Sequence, residues 1–159
     1  MEVRNMLHIV RATKDDSSIL TRLAIDSEGT WGFDAAFMDV FRRTYRISKN
    51  FIVGNLVYKM LIDDKLIGFF GIVKEDYIST LDYFYIAPAY IGKGYGKKMW
   101  QFMKEVCTQN HINQIEFVTS PEAGGFYNAC GAVNTDIVES LVIKGRMIPK
   151  FRYKIDPSS

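Results

Sequence analysis

A chain of 159 residues with 48% hydrophobic and 14% aromatic side chains has one domain's length and enough apolar material for a substantial core, which excludes a disordered segment. Its net charge of +2 is too small for the basic stripe of a nucleic-acid binder, while a small anionic ligand stays compatible. The longest apolar runs are a handful of residues broken by Lys, Asp or Gly, so no membrane span is expected.

In chain order, residues 6–12 alternate loosely and read as a first strand, with no secretory signal before it. Thr13 and Asp16 have the spacing of a capping box opening a helix with Ile19, Leu20, Leu23 and Ala24 on one face. Gly29 and Gly32 flank Trp31 in a break. A second helix is expected from about Asp34, with Phe37, Val40, Phe41 and Tyr45 at helical spacing. Strands are then expected over 56–62 and 66–73, joined by Asp63-Asp64-Lys65, and over 80–86, stopped by Pro88. A glycine-rich turn, Gly92-Lys93-Gly94-Tyr95-Gly96, leads into a helix carrying Met99, Phe102, Met103 and Val106. A strand over 114–118 follows. Ser120-Pro121 then opens a short helix that Gly131 ends. Two strands, 132–143 and 150–155, flank a Gly145–Pro149 loop. The order is β-α-α-β-β-β-α-β-α-β-β, a mixed α/β domain over residues 1–159 with no repeat or linker.

A strand, a glycine-rich turn and a helix N-terminus together form an anion site. Unpaired N–H groups of the first helical turn converge on one point, and glycines let a phosphate approach closely. The P-loop spacing fails because Lys97 is followed by Lys98 instead of Ser or Thr. The dinucleotide-binding spacing fails because its third glycine is missing. A structural glycine turn stays open as an alternative on these residues alone.

The run Ile91-Gly92-Lys93-Gly94-Tyr95-Gly96, behind the strand Leu81–Ile86 and Pro88, resembles the coenzyme A pyrophosphate motif of the GNAT family of N-acetyltransferases. Ile91 departs from the Gln or Arg usual there. The run Ser120-Pro121-Glu122-Ala123-Gly124-Gly125-Phe126-Tyr127-Asn128-Ala129-Cys130-Gly131-Ala132 resembles the family's downstream motif at the expected distance. Ser120 stands where Asn is frequent, and Ala132 replaces an aromatic. The resemblance covers about Thr80 to Ala132. Trp31-Gly32-Phe33 with Phe37-Met38, and Gly145–Pro149, look similar to a bacterial subgroup of undefined substrate.

This resemblance implies a centrally splayed sheet flanked by helices, with acetyl-CoA as acyl donor and no metal. It implies a cofactor site of Phe84, Tyr85 and Ile86 backbone, the turn Ile91, Gly92, Lys93, Gly94, Tyr95, Gly96 and Lys97, and Ser120, Phe126 and Tyr127. Tyr127 matches the tyrosine that donates a proton or hydrogen bond to the departing sulfur, and an ordinary phenol with a pKa of about 10 keeps its proton at neutral pH. Asp82, on the cofactor strand, and Glu28, near Trp31, are the candidate bases, with a surface carboxylate or a water chain as the alternative. Trp31, Phe33 and Tyr83 can line an aromatic acceptor pocket, or equally belong to the core, and Arg146 would close its mouth.

His8 and His111, the two histidines, read as structural. Cys107 and Cys130 have neither a metal-ligand nor a paired redox spacing, which suits a reducing cytoplasm. Cys130 has no histidine beside it, so direct transfer in a ternary complex is expected over an acyl-cysteine. The expected partner is a small-molecule amine, with no nucleic acid and no membrane. A protein N-terminus or lysine as acceptor, an idle acyl-CoA sensor and a homodimer stay open as alternatives.

Overall fold

The computed structural model describes residues 6–29, 35–141 and 144–156. Strand β1 (Leu7–Arg11) leads to a single 3-10 turn, Lys14–Asp16, and then to helix α1 (Ser17–Gly29). The capping pair acts at that turn: Thr13 N–H donates to the Asp16 carboxylate at 2.8 Å. Lys59 Nζ lies 2.9 Å from the same carboxylate, so the helix start is tied to the sheet by a largely buried ion pair. Leu20, Leu23 and Ala24 are buried, whereas Ile19 is 46% exposed and sits off the apolar stripe.

Helix α2 (Ala35–Thr44) buries Met38 and Phe41 and turns Val40 outward, against expectation. A third helix, α3 (Lys49–Gly54), was not legible in the sequence. It is held by the Ser48 side chain, which accepts from Phe51 N–H at 3.0 Å, and by buried Ile52. Among the described residues three helices, not two, therefore separate the first two strands.

The rest of the chain is β2 (Leu56–Ile62), β3 (Lys65–Val73), β4 (Ser79–Ile86), α4 (Tyr95–Gln109), β5 (Gln114–Val118), α5 (Gly124–Ala129), β6 (Val133–Glu139) and β7 (Met147–Lys154). Asp63 and Asp64, both at positive φ, make the tight β2–β3 turn. The strands form one seven-stranded mixed sheet in the order β1-β2-β3-β4-β5-β7-β6. The last strand begins at Met147 and includes Pro149, which expectation had left in a loop. The ring is tolerated because β5 ends at Val118; past that point Thr119 N–H donates to the Pro149 carbonyl at 3.2 Å.

Two features of β4 position the site. Opposite β3, Gly71 pairs with Tyr83 and Ile72 with Leu81, so Asp82 is the extra residue of a bulge. Opposite β5, a parallel neighbour, pairing covers Ser79–Ile115 and Thr80–Glu116. Beyond Thr80 the two strands part, and the sheet is splayed at its centre.

Beyond the bulge, alternation sends Phe84 and Ile86 to the sheet face covered by α4, among Met99, Trp100 and Met103. Tyr83 and Tyr85 go to the face covered by α1, with Leu20, Ala24 and Phe69.

Candidate active site

A cavity of about 500 Å³ occupies the splay, running from the glycine turn at one end to Ser27 and Glu28 at the other. At the turn, Gly92 and Gly94 have φ of +80° and +88°, which non-glycine side chains avoid, and no atom lies within 4 Å of where either Cβ would stand. Gly94 is the N-cap of α4, so the first N–H groups of that helix have no intrahelical acceptor. Lys97 lines the cavity on the first turn. An open cradle of backbone donors with the dipole behind it fits a pyrophosphate.

Gly96 serves a different end. A Cβ there would lie 3.0 Å from the Phe126 ring, so this glycine lets α5 pack against the start of α4. Lys93 and Lys98 lie over the rings of Tyr90 and Tyr95, at 5.8 and 5.7 Å from their centroids. Tyr90 meets Tyr95 edge-on at 5.7 Å. Ile91, 42% exposed, lines the cavity mouth.

The middle of the cavity is walled by β4 from Phe84 to Ile86 on one side and by Phe117, Ser120 and Phe126 on the other. Tyr127 lies here, 6% exposed, with its ring 4.6 Å from Phe117 and 5.1 Å from Phe126. Burial pushes its phenol well above the ordinary range, and neighbouring Cys130 adds to this; the Thr119 hydroxyl pulls the other way. Tyr127 therefore holds its proton at any physiological pH.

At the far end, the Tyr85 hydroxyl donates to Glu28 Oε1 at 2.9 Å. Burial raises the Glu28 carboxyl above its usual value; the Tyr85 hydrogen bond and the Arg146 charge lower it, and Glu122 raises it. Tyr85 is itself raised, by burial first and then by Tyr45 and Glu28. Arg146 pairs with Glu122 at 3.6 Å, and Glu122 lines the cavity, so this pair sits at the rim. Asp82, exposed on its bulge, also lines the cavity, and partial burial and the charge of Glu75 raise its carboxyl.

The structure thus gathers Glu28, Asp82, Tyr127, Gly92, Gly94, Gly96, Lys97 and Ser120 around one space, whereas Lys93 and Tyr95 of the same turn are not in its lining. Tyr83 is not part of that lining. Its ring packs on the α1 face against Phe51 at 5.0 Å, Phe69 at 6.0 Å and Tyr45 at 6.1 Å. Gly71 makes room for it, since a Cβ there would meet the Tyr83 ring at 3.1 Å. Trp31 and Phe33 lie outside the described residues.

Sequence reasoning missed Ser27, Phe117, Thr119 and Glu122 as lining residues. Glu122 had a signal, an acidic residue in the first turn after Pro121. Cys107 is a core thiol that burial pushes up to about 12, and the Cys130 thiol is also raised by burial, so neither is a ready nucleophile. Among the described residues no cluster of His, Cys, Asp and Glu could hold a metal ion, and no helix is long and apolar enough to cross a membrane.

A model of the acetyltransferase (GNAT) family matches residues 20–132. No curated protein matches the chain. Among solved structures, the chain is similar to the PaiA N-acetyltransferase of Thermoplasma acidophilum in complex with coenzyme A. That match has 19% identity and a TM-score of 0.77, over 94% of this chain and 99% of that one. It is also similar to the ribosomal-protein-S18-alanine N-acetyltransferase of Escherichia coli, at 11% identity and TM-score 0.72, over 97% of each chain. An aminoglycoside 6'-N-acetyltransferase complexed with coenzyme A matches at 10% identity and TM-score 0.69, over 94% of this chain and 98% of that one. At these identities the likeness is one of fold.

Proposed function

The chain belongs to the acetyltransferase (GNAT) family, and we propose that it moves the acetyl group of acetyl-CoA directly to the primary amine of a small molecule. The observation that carries this reading is a single cavity joining three things. They are a backbone anion cradle at Gly92–Gly96, a buried phenol at Tyr127, and a partly buried carboxylate at Glu28.

Acetyl-CoA supplies the activated carbonyl, and its pyrophosphate suits the cradle. The acceptor nitrogen forms the new N–C bond as the C–S bond breaks, with Glu28 taking a proton from nitrogen. A raised carboxyl is a stronger base than an ordinary glutamate, which suits this task. Asp82 is the second candidate, but it stands exposed on the bulge, where water screens it.

Tyr127 lines the same cavity as β4, which supports placing the sulfur of a donor bound along β4 beside it. Its raised phenol makes full proton transfer to a thiolate, whose ordinary pKa is about 8.5, uphill. Its part is therefore a hydrogen bond to the charge developing on sulfur. The thiolate then takes its proton from solvent, and Glu28 returns one there. The Arg146–Glu122 pair at the rim favours a bounded pocket and so a small acceptor. Free Cys107 and Cys130 suit a reducing cytoplasm.

The test is acetyl-CoA turnover across polyamines, aminoglycosides, amino acids and peptides, following thiol release. Acceleration by a small amine is expected, and acceleration by peptides alone would move the acceptor to proteins.

A further inference from the structure

The β4 bulge gives Tyr85 two faces. Tyr85 lines the cavity on the strand along which the donor's thioester arm is proposed to lie. Its side chain crosses to the opposite sheet face, under α1, and meets Glu28 from below. Without the extra residue at Asp82, every side chain beyond it would switch faces and Tyr85 would point toward α4. The hydroxyl is therefore aimed by the same irregularity that shapes the donor wall.

Behind Tyr85 stands Tyr45, just past the end of α2 and stacked on buried Phe41 at 4.4 Å. The two phenols act on each other, and each is raised first by burial. Phe69, fully buried, holds the Tyr85 ring at 5.8 Å. The Glu28 carboxylate is thus engaged on one oxygen, Oε1, by a donor whose ring is packed against Phe69 of β3.

We propose that Tyr85, backed by Tyr45, is a positioning residue that fixes the Glu28 carboxylate in one orientation for proton transfer from the acceptor amine. This rests on the reading of Glu28 as base. The other charged or titratable groups facing Glu28 are Arg146 from the β6–β7 loop and Glu122 from the turn before α5. Asp82 and Tyr83 of β4 act on Tyr45 behind it, and Glu28 in turn acts on Tyr127 across the cavity. Arg146 and Tyr85 favour the charged carboxylate, and Glu122 opposes it. Removing the Tyr85 hydroxyl therefore raises the Glu28 midpoint and frees its rotamers.

Two readouts test this. In the free protein enriched with carbon-13 glutamate, the Glu28 carboxyl resonance, assigned by its loss in Glu28→Gln, is titrated in wild type and Tyr85→Phe. The proposal expects the midpoint to rise in the variant, and an unchanged midpoint would overturn it. If Tyr85→Phe fails to fold, Tyr45→Phe gives the same reading: a rise supports the proposal and no change overturns it. The second readout is the pH profile of kcat/KM with the fastest amine of the screen. The acid limb should move to higher pH in Tyr85→Phe, with kcat/KM at pH 6 lower by about 3–10-fold, the worth of roughly one hydrogen bond. Glu28→Gln separates the two claims. If it keeps full activity and the same limb, the base reading fails; if it loses both while Tyr85→Phe leaves the limb in place, only the positioning role fails.

Discussion

Phe84 of β4 and Tyr127 of α5 face each other across the splay, their ring centroids 6.0 Å apart and their planes inclined by 67°. Trp100 of α4 lies at 5.7 Å from the first and 5.8 Å from the second, so the pair stands on a third aromatic. The strands are not hydrogen-bonded here, and side chains alone bridge the gap. The Tyr127 ring is therefore structural, while its hydroxyl lies beside Thr119 in the cavity lining.

Tyr127→Phe separates those roles, because the ring and its packing stay. A fall in kcat of about 10–100-fold is expected, the worth of one hydrogen bond to the charge developing on sulfur, since a thiolate leaves fairly well unaided. Acetyl-CoA affinity by titration should change little. A raised phenol stays protonated throughout the working range, so no alkaline limb of the pH profile should depend on this substitution.

Gly94→Val tests the cradle. At φ +88° a β-branched residue is strained by about 1–2 kcal/mol, and its side chain would enter the open space above the α4 N-terminus. The variant should melt a few degrees lower yet stay folded, and should lose measurable acetyl-CoA binding in calorimetry. Retained affinity in the folded variant would remove the cradle.

Gly96→Val probes packing two residues on. Its Cβ would press on the Phe126 ring at 3.0 Å and push α5, with Tyr127, away from α4. Overpacking of this kind costs about 1–3 kcal/mol. Thermal melting should show that loss, and kcat should fall more than acetyl-CoA affinity.

Glu28→Gln should trade activity for stability. The Glu28 carboxyl is raised in the folded state, so the fold binds this proton more tightly than the unfolded chain does. Its contribution is thus fully present below the ordinary glutamate value of 4.5 and is lost as pH rises through the higher folded value. Glutamine, always neutral, avoids that loss. The variant should melt higher than wild type at pH 7 and no higher at pH 4, while turnover drops at both.

The parts of the site that lie close together in sequence were legible. Gly92 to Gly96 and Phe126-Tyr127 are contiguous, and each type is required by local geometry, whether a positive φ, a close approach or a short helix. The strands were legible for the same reason, since period-two alternation is local. The Glu28–Tyr85 bond was not, because it joins residues 57 positions apart and depends on a bulge. Asp82 in isolation gives no sign that it is the extra residue; only its pairing with β3 shows it. Tyr83 was left open between pocket and core for that reason, and the bulge turns it to the core side, toward Phe51. Helix α3 escaped because six residues are too few for an apolar period.

The central claim is acetyl transfer from acetyl-CoA to a small-molecule nitrogen, in a cavity that binds the donor at Gly92–Gly96 and supports the leaving sulfur at Tyr127. The most direct measurement is mass analysis of the products formed from acetyl-CoA and a panel of small amines by the wild-type protein, with thiol release followed in parallel. The account predicts an N-acetylated small amine formed one-for-one with free thiol, at a rate that Gly94→Val abolishes and Tyr127→Phe lowers. Thiol release equally slow with and without every amine and peptide, from a protein that binds acetyl-CoA tightly, would contradict it and leave a binding module in its place.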